Sequence, residues 1–474
     1  MVFSSSIFLL YFLPAVLGIY YLADQKYKNL VIVAFSLFFF AWGAPVYVFL
    51  IIGTMLADFL FSHLIHNAEG RRKRLMLIAA IGLNISMLLY FKYANFFVEN
   101  INQTLLYFGQ QPMKWMEVAL PIGISFFTFH EMSYLIDVYR NDKPPMKNIT
   151  DYAVYILFFP QLIAGPIIRF NEIADQITNR SNNETIDNRI IGFIRFIIGL
   201  SKKVLIANVM GQQADYIFAL SADELTSGLA WVGVIAYTFQ IYFDFSGYSD
   251  MAIGLARMIG FVFPENFNNP YISRSITEFW RRWHITLSRW MRDYLYVSLG
   301  GNRVKTISRL YFNLIFVFLI SGFWHGAAWN FVIWGAFHGL FLILDRLFLL
   351  KILEKIGNIP AMMFTFFVTM MGWVFFRVES ISQAKLFFSR MFSFRGNLAD
   401  FNPGSEFWVI LVIATLFSFS TAFKPGKKLE TLVYTPDYPL KRMVAMTMIC
   451  SVLFILSIAS ITSTGFNPFI YFRF

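Results

Sequence analysis

Residues 310–344 read LYFNLIFVFLISGFWHGAAWNFVIWGAFHGLFLIL, 35 residues between Arg309 and Asp345 without one Asp, Glu, Lys or Arg. A helix needs about 20 apolar residues, at 1.5 Å each, to cross the hydrocarbon of a bilayer. This run is long enough for more than one crossing, and it sets the class of the molecule. The rest of the 474-residue chain agrees: hydrophobic residues make up 57% and aromatic residues 19%, with 57 Phe. Charged residues fall to 14%, where soluble domains carry about 25%. A soluble protein of this length has too much surface to cover with so few charges. The composition implies an all-α, polytopic membrane protein.

The net charge of +11 would suit nucleic acid, but no zinc-finger spacing or other recognition motif accompanies it. Lys and Arg gather instead at the ends of apolar runs, as the inner face of an anionic membrane requires. Cys450 is the only cysteine, so no internal disulfide or cysteine-rich metal site can form. The opening VFSSSIFLLYFLPAVLGIYYLA lacks a basic head and reads as a first span over 6–23 rather than a cleaved signal. Residues 30–66 would make one helix of about 55 Å, too long for the membrane core. The run breaks at WGAP, 42–45, where Pro45 cannot donate a hydrogen bond. Two spans then put Lys26 and Lys28 on the same side as Arg71, Arg72, Lys73 and Arg74, in the cytoplasm, with the N-terminus outside.

Further apolar runs cover 75–91, 118–136, 152–168, 188–210, 227–246, 311–321, 327–350, 360–376, 405–419 and 441–461. Several are short or hold Pro and Gly, the mark of re-entrant pieces that protein or a watery cavity must cover. The expectation is one membrane domain over 1–474 with about ten to twelve spans.

Polar residues stand out against this background. On a single helix over 276–294, Ile276, Trp280, Trp283, Leu287, Trp290 and Tyr294 form one stripe, with Arg281, Arg282, Arg289 and Arg292 opposite. Such a helix lies at the membrane interface or lines a polar cleft. His284 falls at the seam, and interfacial anchoring gives no reason for an imidazole there. The segment runs on into a flexible basic turn, GGNR, 300–303. His325, in SGFWHGAAWNFVIWGAFHG (321–339), sits near the middle of the uncharged run between Gly322 and Gly326. A polar ring there must be hydrogen-bonded or face a cavity. Burial keeps such a ring neutral and able to accept a proton. On a common helix His338 faces elsewhere and reads as structural.

Asp58, His63 and His66 fit snorkelling or packing at the end of a span. His130 and Glu131, inside an apolar run, read as a cavity-facing pair with a structural or a binding role. Asp244 and Asp250 flank Gly247 in QIYFDFSGYSD, a polar knot that would shape a re-entrant turn or touch substrate. PQLIAGPIIRF, 160–170, is a broken apolar element closed by Arg169. No HExxH, GxSxG, Walker A or dinucleotide fingerprint is present, and the histidines lack partners at metal-ligand spacing. A buried imidazole best suits direct proton abstraction from a hydroxyl, with a second one polarising a carbonyl or positioning the partner. From composition alone, transport of an acylated lipid or sugar without bond-making is the leading alternative.

FWRRWHITLSRWMRDYLYVSLGGNR (279–303) and SGFWHGAAWNFVIWGAFHG together resemble the membrane-bound O-acyltransferase family, in the bacterial polysaccharide-acetylation branch of the alginate O-acetyltransferase membrane subunit. FSSSIFLLYFLP, PIGISFFTFHEMSYLIDVYR, PQLIAGPI and DFSGYSDMAIGLARMIG are also similar, so the resemblance spans nearly the whole chain. It implies a ring of helices around thinned membrane, with a central funnel. It implies an O-acyltransferase in the bacterial cytoplasmic (inner) membrane. His325 would be the central catalytic histidine and His284 the second signature residue. The donor would be acyl-CoA, most simply acetyl-CoA, arriving from the cytoplasm, with no permanently bound cofactor or metal. The acceptor would be an extracytoplasmic hydroxyl. An acetyltransferase partner of the SGNH-hydrolase-like type would pass the group to a glycan polymer, since the sequence shows no large soluble domain for that step. Arg281 and Arg282 would meet the donor's phosphates. Trp283, Trp324, Asp244 and His130 complete the expected substrate-binding set. The aromatic tail FNPFIYFRF, 466–474, reads as an interfacial anchor or a contact for partner or lipid.

Overall fold

The computed structural model describes all residues except 164, 394–395, 397–400, 436–437, 469 and 471–474. The described residues form helices and connecting loops, with no strand among them. They divide into two compact units. The first comprises Ile7–Glu184 with Ile259–Phe263, and the second comprises Val2–Ser6, Thr185–Met258 and the chain from Pro264 onward. Across the described residues, six helical segments are long and apolar enough to cross a membrane: Pro45–His66, Gly70–Tyr107, Ile307–His325, Asn358–Arg377, Ser405–Ala422 and Leu440–Ser463. A shorter apolar segment covers Phe8–Leu22. The other apolar runs are shorter, broken or interrupted by charge.

In the first unit the helices are α1 (Leu13–Leu22), α2 (Lys28–Gly43), α3 (Val48–His66), α4 (Gly70–Leu88), α5 (Ala94–Tyr107), α6 (Ile124–Arg140), α7 (Ile149–Leu157), α8 (Phe159–Leu162) and α9 (Phe170–Thr178). The break expected at WGAP is present. α2 stops at Gly43, and Pro45 opens a single 3-10 turn, Pro45–Tyr47, before α3. Proline supplies the reason, because its missing N–H costs nothing at the start of a helix. The apolar run 152–168 is also broken, into α7, α8 and an extended stretch that ends at Arg169, the N-cap of α9. Asp58 is fully buried and takes a hydrogen bond from Asn84 Nδ2 at 2.8 Å, so it packs inside α3 and α4 and does not snorkel.

The second unit holds α10 (Ile186–Ser201), α11 (Asn208–Phe218), α12 (Ser227–Met258), α13 (Ile276–Arg282), α14 (Ile285–Trp290), α15 (Ile307–His325), α16 (Trp329–Leu344), α17 (Leu350–Ile356), α18 (Asn358–Arg377), α19 (Ile381–Met391), α20 (Ser405–Phe419), α21 (Lys424–Val433) and α22 (Leu440–Thr464). Two of the sequence expectations are corrected here. The polar knot around Gly247 makes no re-entrant turn, because α12 runs through it as one helix of 32 residues. Its acids are neutralised from the neighbouring helical segment. Asp250 pairs with Arg195 at 2.7 Å and Lys202 at 2.6 Å, and Asp244 pairs with Lys203 at 2.6 Å. Gly247 lets the backbones meet, since a Cβ there would lie 2.7 Å from the Gly199 carbonyl oxygen. The second correction concerns 276–294. This is two short helices, α13 and α14, separated at Trp283–His284. The aromatic stripe is nonetheless the buried side of the segment, and Arg281, Arg289 and Arg292 are exposed.

α15 and α16 form the close pair that carries His325. Thr306 caps α15, accepting the Arg309 N–H at 3.3 Å. α15 ends at His325, the chain extends through Gly326, and α16 starts at Trp329. A Cβ on Gly322 would stand 2.2 Å from the Phe331 carbonyl oxygen, a backbone atom that cannot swing away. Small residues of this kind let helices approach in a membrane, where apolar transfer gives no drive for association.

Gly322→Ala should therefore lower the thermal midpoint in detergent by several degrees, in line with an overpacking cost of about 1–3 kcal/mol or more. Gly53→Ala on α3, where a Cβ meets nothing within 4 Å, should leave the midpoint unchanged or raise it. Equal midpoints for the two variants would show that the α15–α16 contact is looser than described.

Candidate active site

The His325 ring terminates α15 and is 8% exposed. Aromatic rings enclose it: Trp324 at 4.9 Å, Trp334 at 5.2 Å and Phe376 at 5.1 Å between centroids, all edge-to-face. The ring lines a small cavity with Ile241, Phe245, Trp283, Trp334, Trp373, Phe376 and Ile470. Of these eight side chains His325 alone is ionisable. The free space is on the scale of one water molecule. An imidazole set in an apolar wall can take a proton from a hydroxyl brought against it.

His284 is 1% exposed and occupies a left-handed backbone conformation, φ 41° and ψ 55°. That region is uncommon for residues other than glycine and costs about 1–3 kcal/mol, and such strain persists only where surroundings enforce it. The enforcing group is Asn266, a fully buried residue on the loop after α12. Its backbone carbonyl accepts the Ile285 N–H at 2.9 Å. Its side-chain Oδ1 accepts the Thr286 N–H at 3.2 Å and the Thr286 hydroxyl at 2.9 Å, and lies 3.0 Å from His284 Nδ1. Its Nδ2 donates to Ser249 Oγ on α12 at 2.9 Å. A backbone N–H can only donate, so the amide orientation is fixed. An oxygen without hydrogen can only accept, so Nδ1 of His284 carries the proton and Nε2 carries a lone pair. That Nε2 is buried with no hydrogen-bond partner among the described residues. Burial pushes the His284 pKa down to about 3, so the ring is neutral at physiological pH. Phe245, which lines the His325 cavity, packs edge-to-face on the His284 ring at 4.6 Å.

The remaining expected residues separate into groups. Trp283 lines the cavity and Trp324 flanks His325. Asp244 reaches the cavity through the tail: one oxygen takes the Ile470 N–H at 3.0 Å while the other pairs with Lys203, which also donates to the Pro468 carbonyl. The tail from Phe466 to Pro468, with Ile470, is thus held inside the second unit, not spread as an interfacial anchor. The rest of FNPFIYFRF lies outside the described residues. Arg282 is held by Glu278 at 2.9 Å and by the Asn268 carbonyl at 3.1 Å, whereas Arg281 is exposed and makes no ion pair among the described residues. His130 belongs to the first unit, where its Nε2 accepts the Ile168 N–H at 3.3 Å. His338 is enclosed by Trp280 and Trp334, each at 5.0 Å, and neither of its buried ring nitrogens has a hydrogen-bond partner among the described residues. Sequence reasoning missed Asn266 and most of the cavity wall, including Phe245, Trp334, Trp373 and Phe376. The only cue to Asn266 was its place in a polar run, NFNNP, between apolar segments.

Comparison with known proteins accords with this geometry. Residues 83–376 match the model of the membrane-bound O-acyltransferase family. The chain is 42% identical to the probable alginate O-acetylase AlgI of Pseudomonas putida, over all of both chains. It is 39% identical to the peptidoglycan O-acetyltransferase of Helicobacter pylori, over 81% of this chain and 78% of that one. It is 31% identical to the teichoic acid D-alanyltransferase of Streptococcus thermophilus, over 48% of this chain and 58% of the other. Six membrane-length helices, a sheltered histidine cavity and these likenesses converge: the chain belongs to the membrane-bound O-acyltransferase family and is a multi-pass membrane acyltransferase.

Proposed function

We propose that this acyltransferase is an O-acetyltransferase of the bacterial cytoplasmic membrane, which takes acetyl groups from acetyl-CoA and delivers them to a hydroxyl acceptor outside the cytoplasm. The observation that carries the reading is the cavity in which His325 is the only ionisable side chain among the described lining residues. His325 would remove the proton from the acceptor hydroxyl as its oxygen attacks the thioester carbon. The C–S bond then breaks, and the departing thiolate regains the proton from the imidazolium. Atoms and charge balance without metal or redox chemistry. His284 would position a substrate through a hydrogen bond accepted at Nε2. The narrow cavity favours a short acyl group. Likeness to proteins named for alginate and peptidoglycan acetylation supports an exported or envelope glycan as the final acceptor. The hand-over would run through a separate acetyltransferase of the SGNH-hydrolase-like type. Transport without bond-making, the alternative that composition raised, gives way to the family assignment.

Two outcomes check this reading. Replacing His325 with Ala should cut transfer of labelled acetyl from acetyl-CoA by about 10²–10⁴-fold, with unchanged expression and melting in detergent. A folded His325→Ala protein of wild-type rate would remove the base. Arg281→Glu should raise the KM for acetyl-CoA several-fold and leave kcat near its starting value, because an exposed, unpaired guanidinium is the one offered to phosphate. Arg282, already engaged by Glu278 and Asn268, should affect melting more than KM. Identical kinetics for Arg281→Glu and wild type would place the donor elsewhere.

A further inference from the structure

Asn266 is buried completely and makes contacts to three places at once: α12 through Ser249, the start of α14 through Ile285 and Thr286, and the ring of His284. Buried amides satisfied on both sides are expensive to replace, since any apolar substitute leaves partners unpaired. The packing of α12 against α14 would be served by the Ser249 and backbone bonds alone. The bond to His284 Nδ1 does something else, because it selects which ring nitrogen is protonated.

We propose that Asn266 is a positioning residue of the transfer reaction, whose side-chain oxygen holds His284 in the Nδ1–H form so that Nε2 receives a hydrogen bond. The proposal rests on His284 acting in transfer. It also decides between the two roles that chemistry allows a second imidazole. Polarising a thioester carbonyl needs an N–H pointing at the carbonyl oxygen. A lone pair at Nε2 cannot supply one. An acceptor at Nε2 instead suits holding an N–H or O–H donor of a substrate beside the reacting hydroxyl, whose own proton goes to His325. An orienting group behind an imidazole of this kind typically matters by about 10–100-fold, on the precedent of outer-shell partners of metal-bound histidines. The left-handed backbone at His284 and the contact of Phe245 with its ring limit the ring's alternatives further. Burial is the cause of its depressed pKa, so the neutral ring needs no charged partner.

The test uses the full-length protein in detergent, in two arms. In the first, ¹⁵N-histidine labelling reads the tautomer of wild-type His284, assigned by the signal lost in His284→Gln. The expected spectrum has a protonated Nδ1 and an unprotonated Nε2. A protonated Nε2 overturns the proposal whatever the variants do. In the second, acetyl transfer is measured for Asn266→Ala, Asn266→Asp and His284→Gln, per unit of folded protein. Asn266→Ala should lower kcat by about 10–100-fold, with the KM for acetyl-CoA within about twofold. Asn266→Asp keeps an acceptor oxygen and should restore much of that loss at high pH. Its carboxylate stabilises the imidazolium and raises the His284 pKa. Activity of Asn266→Asp should therefore fall, as pH drops, at a higher pH than in wild type. Equal impairment of both Asn266 variants with an unmoved pH profile would reduce Asn266 to a structural residue. If Asn266→Ala keeps full kcat while His284→Gln loses it, Asn266 does not position the ring. Full activity of His284→Gln would fail the underlying role of His284 instead, a separate result. Should Asn266→Ala not fold, the tautomer measurement and Asn266→Asp still decide.

Discussion

An imidazole surrounded by hydrocarbon and indole is the constraint around which the second unit is built. A polar ring placed in such a wall must be hydrogen-bonded or face a cavity. His325 meets that condition at the end of α15, where three aromatic edges face it. Its position depends on backbone geometry. Gly322 brings α15 onto the Phe331 carbonyl of α16, and Gly335 brings α16 onto the Phe318 carbonyl of α15. The chain then reverses within Gly326–Ala328, leaving the histidine at the turn, against the cavity.

Charge is handled in the same unit by pairing. α12 carries Asp244 and Asp250 through the middle of the packing, and both acids would be prohibitive if alone. Lys203 serves the first and Arg195 with Lys202 the second. Lys203 and Asp244 do more than cancel: they grip Pro468 and Ile470, so an ion pair on one side of α12 sets one wall of the histidine cavity. Removal of either partner would leave the other charge buried and would loosen that wall.

Legibility in the sequence followed the range of the interaction. The break at Pro45 was readable because a proline acts on its own backbone. The membrane class was readable from a 35-residue uncharged run, and the family from two long motifs. The helix over 276–294 was misjudged because its interruption comes from Asn266, 18 residues away, which no helical wheel contains. The turn expected at Asp244–Asp250 was misjudged for a like reason. Its neutralising cations sit 41 to 55 residues upstream, on another element. The inward-facing tail depends on contacts 226 and more residues apart in sequence. Aromatic positions such as Phe245 and Trp373 carry no local mark that separates cavity wall from ordinary core.

The His325 cavity, with the His284 ring packed on Phe245 of its wall, is the heart of the proposed chemistry. Cryo-electron microscopy of the purified protein with a non-cleavable thioether analogue of acetyl-CoA tests it most directly. The acyl carbon is expected inside the cavity bounded by Trp283 and Trp334, touching the His325 ring. Density for the acyl group outside that cavity, with His325 in contact only with protein, would contradict it.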